Sequence, residues 1–385
     1  MRVFVVAGEP SGDKLGAALM QGLRELAPDV SFDGVGGPLM QAQGLVSRFD
    51  MSELSVMGIA EILPKYRSLM RRVNETAANV VNTAPDVLIT IDSPDFSLRV
   101  ARRVRAASPR IRTVHYVAPT VWAWRPGRAE KMARMIDQVL ALFPFEPPFM
   151  HAAGMDCEFV GHPVVAEPVA TDAQAEAFRD RHGIGAAPCL LVLPGSRRGE
   201  VTRLAPVFRD ALHAIIQSRP ETRVVVPAAA PVAPALKELI RDWPGAPVFL
   251  DPRDTEAAQA AADKRAAFRA ADVALAASGT VSLELAAAAT PMVIAYDMNW
   301  ISRHIIAHML KVDTVTLVNL VSETRVVPEF LGPLCKPDRI AKGVLDVLDN
   351  PGAQREAMSV TMQRLGQGGE APGLRAARAV LAHMT

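Results

Sequence analysis

Two segments in the second half of the chain carry the residue types that hold a diphosphate. In Leu193-Pro194-Gly195-Ser196-Arg197-Arg198-Gly199-Glu200 a glycine and a serine leave the tip of an apolar run, and two arginines lead into a helical pattern. A guanidinium offers permanently charged, bidentate donors beside backbone N–H groups, which suits phosphate oxygens. Arg198 can simply pair with Glu200, and Arg197 is the one expected to serve the anion. Ser278-Gly279-Thr280 opens a second helix, whose first N–H groups and positive end favour negative charge. Glu284, one turn on, can accept from the vicinal hydroxyls of a ribose. The plainer reading of this turn makes Thr280 an N-cap and Glu284 a first-turn partner of the helix dipole.

The first half offers a base. The run Val87–Ile91 delivers Asp92 and then Ser93-Pro94-Asp95. A carboxylate at the carboxyl end of a buried strand can lose solvation, which moves its pKa toward that of a working general base. Asp92 is therefore the expected catalytic residue, with Asp95 capping the following helix. Gly8-Glu9-Pro10-Ser11-Gly12-Asp13 joins the first apolar run to a helix; Ser11 and Gly12 can approach a ligand closely, or Ser11 or Asp13 can simply cap. Trp122 and Trp124 on one loop form either a sugar platform or a small satellite core. Arg125, Arg128, Lys131 and Arg134 follow at helical spacing and read as a solvated face.

These residues need a frame of alternating strands and helices, and the chain supplies one. Apolar runs at Val3–Ala7, Val87–Ile91, Thr113–Val117, Val139–Phe143 and Glu158–Val160 alternate with helical patterns such as Asp13–Leu26, where Leu15, Leu19, Leu23 and Leu26 share a face. A linker-like stretch over Gly161–Thr171 precedes a second series, at Cys189–Leu193, Arg223–Val226, Val248–Leu250, Val273–Ala276 and Met292–Ala295. Runs with so little polar interruption predict parallel sheets covered on both faces. The expected architecture is α/β, with two Rossmann-like doubly wound domains facing a cleft and ligands at the carboxyl ends of the strands. The predicted division is 1–165, 166–345 and a helical segment 346–385 that returns to the first domain, with Gln354–His383 as its amphipathic helix.

Composition narrows the class. The 385 residues suit about two domains. A net charge of +1 gives no global attraction to nucleic acid. Three scattered cysteines make neither a disulfide framework nor a metal cluster, which points to a reducing compartment. No signal peptide or membrane-spanning run is expected. No metal-ligand spacing occurs, and neither G-x-S-x-G nor a complete G-x-G-x-x-G is present, which weakens a hydrolase and a nicotinamide-dependent dehydrogenase. Gly58–Val73 places Ile59, Ile62, Leu63, Tyr66, Leu69, Met70 and Val73 at helical spacing beside Lys65, Arg67, Arg71 and Arg72. It can lie on a membrane surface or, interrupted at Pro64, pack on the core; read alone, core packing fits better.

Taken in order, AGEPSGD, GVGGPLMQAQG, VMGIAEIL, PDVLITIDSPDFS, HYVAPTVWAWRPGR, FVGHP, LPGSRRGEV and ASGTVSLELAAAATPMVIAY through VNL resemble the lipid-A-disaccharide synthase family over residues 1 to about 335. Pro10 departs from the pattern, since some relatives carry Thr there. The resemblance implies the glycosyltransferase-B fold and an inverting transfer of diacylglucosamine from UDP to the 6-hydroxyl of diacylglucosamine 1-phosphate. It implies Asp92 as the base, Arg197 beneath the diphosphate, and Ser11, Gly12, Gly195, Ser196, Ser278, Gly279, Thr280, Glu284 and Asn319 around the UDP-sugar. Because both substrates are lipids, it also turns Ile59, Ile62, Leu63, Tyr66, Leu69, Met70, Arg71 and Arg72 into expected acyl or membrane contacts. The implied partners are the two lipid sugars and the cytoplasmic face of the inner membrane, with neither nucleic acid nor cofactor nor metal; a homodimer is compatible. The rival readings are a soluble UDP-N-acetylglucosamine-dependent transferase or epimerase, and a non-catalytic nucleotide-binding protein.

Overall fold

A computed structural model describes residues 1–54, 59–125, 127–298 and 312–384, with the side chains of 59–65 outside the description. The chain divides into two compact units, Met1–Ala166 with Leu365–Thr385, and Glu167–Arg364.

The first unit holds six parallel strands: β1 (Arg2–Ala7), β2 (Ser31–Val35), β3 (Val87–Ile91), β4 (Arg112–Tyr116), β5 (Gln138–Ala141) and β6 (Asp156–Phe159), in the order β2-β1-β3-β4-β5-β6. The period of two places Val3, Val5, Ala7, Val87, Ile89 and Ile91 in one core, and Phe4, Val6 and Leu88 in another on the opposite face. Both faces are dry, which explains the unbroken apolar runs. Helix Pro10–Leu26 starts with proline in its first turn and buries Leu15, Leu19 and Leu23 in the first core. Each such side chain contributes about 1.5–3 kcal/mol.

The second unit repeats the scheme with β7 (Cys189–Leu193), β8 (Arg223–Pro227), β9 (Val248–Leu250), β10 (Val273–Ala276), β11 (Met292–Tyr296) and β12 (Glu329–Leu331), in the order β12-β11-β10-β7-β8-β9. Its core draws Leu190 and Val192 of β7 and Leu275 of β10 against Phe208, Leu212 and Ile215 of helix Arg198–Ser218.

The tail differs from its sequence reading. Instead of one helix over Gln354–His383 there are two, Gly352–Arg364 and Pro372–Ala382, separated by a segment with Gly366, Gly368 and Gly369. The first stays with the second unit, because the buried Gln354 amide bonds to Met292 N–H (2.8 Å) and O (3.0 Å) and Thr361 bonds to Val318 O. The return therefore begins at Leu365, not at 346. Helix Pro372–Ala382 then packs on Pro10–Leu26 almost backbone to backbone. A Cβ on Gly22 would lie 2.8 Å from Gly373 O, and one on Gly373 would lie 2.6 Å from Ala18 O.

Candidate active site

In an open parallel sheet the crevice lies where the strand order reverses, outside the carboxyl ends of the two strands at that point. In the first unit these strands are β1 and β3, whose last residues Ala7 and Ile91 are in register. The turns that leave them are packed side by side. A Cβ on Gly8 would lie 2.8 Å from Ser93 Oγ, so only glycine permits this approach. Ser11 is exposed and Gly12 is buried beneath it.

Asp92 is half-buried at the end of β3. It has φ 49°, Ser93 has φ 45°, and Val117 at the end of β4 has φ 85°. Left-handed backbone at three non-glycine points of one sheet edge costs on the order of 1–3 kcal/mol each, and such strain concentrates at functional sites. The surroundings hold the strain in place: Asp92 N–H donates to Tyr116 O (3.0 Å) and Ser97 Oγ donates to Asp92 O (2.7 Å). Ser93, not Asp95, occupies the N-cap of helix Pro94–Ala107, and no side chain caps there; Asp95 sits exposed in the first turn. Nor does Asp13 cap its own helix. Its buried carboxylate accepts from Gly37 N (2.8 Å), Leu39 N (3.0 Å) and Met40 N (3.0 Å), closing the start of helix Pro38–Ala42.

The two tryptophans divide. Trp122 belongs to a satellite core: its ring meets Phe145 edge-on at 5.1 Å and its Nε1 donates to Glu146 Oε1 at 3.4 Å. Trp124 lies under the Arg125 guanidinium, 4.4 Å from its ring centroid. Glu146 is buried and also accepts from Leu142 N and Phe143 N. Burial dominates these bonds and pushes its carboxyl up to about 7, whereas burial beside Arg128 pushes the neighbouring-strand His115 down to about 4. The two groups act in opposite senses on stability. From pH 4.5 to about 7 folded Glu146 holds a proton that the unfolded chain has released, so stability falls as pH rises. From about 4 to 6.5 the unfolded chain holds more of the His115 proton, so stability rises. Subtracting the unfolding free energy of Glu146→Gln from that of the parent isolates the first effect. The difference is expected to decline from pH 4.5 to 7 in urea titrations, and a flat difference would refute the assignment.

In the second unit the order reverses between β7 and β10, with Leu193 beside Ala276 and Ala277 N–H bonded to Leu193 O at 2.9 Å. A cavity of about 490 Å³ opens at that point. Gly195, Ser196, Arg197, Ser278, Gly279, Thr280 and Glu284 all line it, so turns far apart in sequence share one space. Arg197, not Arg198, pairs with Glu200, with Nη1 3.2 Å from Oε1, because three residues of separation bring side chains onto one helix face and two do not. The Arg197 side chain remains 73% exposed. Thr280 holds the cap position of helix Val281–Ala287 without a side-chain bond.

Sequence reasoning places neither Lys264 nor Glu200 in this wall, having read Glu200 only as an ion-pair partner. Lys264 forms a 2.5 Å ion pair with Glu284 across the cavity wall, and Glu200 lies in the wall. Lys264 sits in an alanine-rich helix, Ala257–Ala270, where nothing local marks it. Asn319 is not among the residues that line this cavity. It is buried, donates to Thr314 Oγ1 (3.2 Å) and Val327 O (3.0 Å), and accepts from Val327 N (3.0 Å), so its amide is consumed in holding its own loop. A second cavity of about 550 Å³ adjoins the first through Pro227, Ala228 and Lys264 and is walled by Phe249, Leu250 and Pro252.

The basic helix runs unbroken over Ile59–Thr83, through Pro64. The side chains of Ile59, Ile62 and Leu63 lie outside the described residues. Leu69 and Met70 pack against the core that contains Phe4 and Val73, so they face inward. Arg72 is held by Glu53 and Glu75, both at 2.7 Å, over the Phe49 ring. Tyr66, Arg67 and Arg71 remain exposed. Among the described residues no helix is long and apolar enough to cross a membrane, and no group of three or more His, Cys, Asp or Glu could hold a metal ion.

Two parallel six-stranded sheets, each with its reversal point lined by glycine-containing turns, define an α/β protein of the glycosyltransferase-B type. Solved structures of that architecture align over nearly the whole chain: a UDP-GlcNAc 2-epimerase from Neisseria meningitidis bound to UDP-GlcNAc (TM-score 0.62, 11% identity, 99% of each chain) and HepE from Anabaena in complex with UDP and glucose (TM-score 0.58, 13% identity, 99% of this chain and 98% of that one). At such identities the likeness establishes the fold. The family model for lipid-A-disaccharide synthetase matches residues 3–382. A lipid-A-disaccharide synthase of Ruegeria pomeroyi is 66% identical over 381 residues, covering 99% of this chain and 95% of that one. Its counterpart in Rhodospirillum centenum is 47% identical over 384 residues, covering 98% and 94%. The chain belongs to the lipid-A-disaccharide synthase family, and so to the glycosyltransferases; the dehydrogenase reading falls away.

Proposed function

We propose that this enzyme transfers 2,3-diacylglucosamine from UDP to the 6-hydroxyl of 2,3-diacylglucosamine 1-phosphate in a single inverting displacement. The acceptor oxygen forms the new bond to the anomeric carbon as its proton passes to Asp92, and the bond to the β-phosphate oxygen breaks, leaving UDP. Charge grows on that oxygen in the transition state. Arg197 and the backbone donors of the Ser278–Thr280 turn stabilise it, which lowers the barrier because the interaction is stronger there than in the ground state. The observation that carries the reading is the convergence of these two turns on one cavity in a chain of this family. The adjoining cavity offers room for the nucleoside. In this reading Glu284, paired with Lys264, receives the ribose hydroxyls, and Ser11 and Gly12 border the UDP-sugar.

Lipid substrates have to be met at a bilayer. Exposed Tyr66, Arg67 and Arg71 support peripheral contact with an anionic membrane surface, taken to be the cytoplasmic face of the inner membrane. Incubation with both lipid sugars should yield, by mass spectrometry, a tetraacyl disaccharide 1-phosphate and stoichiometric UDP. Product from unacylated UDP-N-acetylglucosamine, with none from the lipid donor, would instead support the soluble transferase or epimerase reading.

A further inference from the structure

The anion donors of the Gly195–Arg197 turn already have an occupant. Glu200, in the first turn of helix Arg198–Ser218, folds back so that Oε2 accepts from Ser196 N–H and Arg197 N–H, each at 3.3 Å, while Oε1 lies 3.2 Å from Arg197 Nη1. The side chain is 14% exposed and lines the same cavity as Ser278–Thr280. Gly195 is shaped to this contact: its φ is 119°, and a Cβ there would lie 2.8 Å from both Glu200 Cβ and Oε2. Yet these three contacts are long, since charge-assisted N–H···O contacts usually close to about 2.7–2.9 Å. The seat is therefore filled by a ligand that fits it loosely, and that ligand carries the same sign of charge as a diphosphate.

We propose that Glu200 is an internal competitor for the diphosphate, and that nucleotide binding requires its carboxylate to give up Ser196 N–H, Arg197 N–H and the Arg197 guanidinium. The inference rests on the proposed UDP site and adds how its affinity is set. With the seat vacant, Glu200 keeps the donors aligned and prevents the guanidinium from collapsing elsewhere. With the diphosphate in place, the displaced carboxylate opposes it electrostatically and hastens the departure of UDP. An enzyme whose product shares the donor's diphosphate gains from such a device, because tight binding of the product would hold the site shut.

Glu200→Gln keeps the length of the side chain and its amide oxygen but removes the charge. Isothermal titration of the parent and the variant with UDP and with uridine, together with stopped-flow release of UDP, tests the proposal. The variant should bind UDP about tenfold more tightly and release it more slowly, with uridine affinity unchanged, because uridine lacks the group that competes. Unchanged or weaker UDP binding by Glu200→Gln overturns the proposal and makes Glu200 a plain helix cap. Equal gains for uridine and UDP overturn it too, since a general tightening of the unit would not depend on phosphate. A parent enzyme that binds no UDP defeats the nucleotide reading itself, a separate and recognisable outcome. If thermal melting shows that Gln unfolds the unit, Glu200→Asp serves instead: its carboxylate is one methylene shorter, reaches the donors less well, and should shift UDP affinity in the same direction.

Discussion

Asp92→Asn is expected to lower turnover by about 10² or more while leaving UDP affinity at the parental value. Asparagine keeps the size and shape of the side chain, and together with aspartate it is among the residues that tolerate left-handed backbone best, so the φ of 49° remains accessible. The bonds that fix the turn, Asp92 N–H to Tyr116 O and Ser97 Oγ to Asp92 O, are made by the backbone of residue 92 and survive the change. What disappears is a lone pair basic enough to take the acceptor's proton. The cavity proposed for the nucleotide is lined by residues between Leu193 and Glu284 of the other unit, so UDP titration should not register the loss. Steady-state kinetics with both lipid sugars and calorimetry with UDP check the two halves of the expectation. A near-normal rate would move the base to another residue.

Arg197→Ala should reduce kcat/KM for the donor by about 10²–10³, the usual consequence of removing one preorganised donor to a developing oxyanion. Folding should be little affected. The side chain is 73% exposed, exposed ion pairs contribute little, and Glu200 retains its backbone partners Ser196 N–H and Arg197 N–H. Arg197→Lys should recover only part of the loss, because an ammonium restores the charge without the planar fork. Arg198→Ala provides the internal comparison, since Arg198 is exposed and does not line the cavity. Donor kinetics for the three variants decide the matter. A loss for Arg198→Ala equal to that for Arg197→Ala would mean that general positive charge, not the placement of one guanidinium, is at work.

The central strands are legible because their environment is uniform. All five residues of Val87–Ile91 are buried, as are all four of Val273–Ala276, and burial on both faces writes an uninterrupted apolar run. Two of the four edge strands, Ser31–Val35 and Glu329–Leu331, carry no such signal, since their serine, aspartate and glutamate interrupt the run. The turns at Gly195 and Ser278 read as anion-binding chemistry because their features are local. Their convergence follows from topology alone. Three kinds of detail stay hidden, two because the partner is distant and one because a loop's path decides it. Asp13 serves a helix 24 to 27 residues away, Lys264 meets Glu284 across 20 residues, and Asn319 is saturated by a loop whose path its sequence does not announce. Choosing Arg198 over Arg197 as partner of Glu200 is a different failure, since helix periodicity alone favours the three-residue spacing.

Residues 365–385 belong with the first unit, although the whole of the second is synthesised before them. The groove on helix Pro10–Leu26, where Gly22 admits Gly373, must therefore wait for its lid. Vectorial synthesis ordinarily lets the leading domain mature first. Here the order is inverted: the second unit can finish folding on the emerging chain, while the unit bearing Asp92 stays open along one helix until translation has passed Pro372. A chaperone that guards apolar surface on nascent chains would find its longest-lived target in that groove.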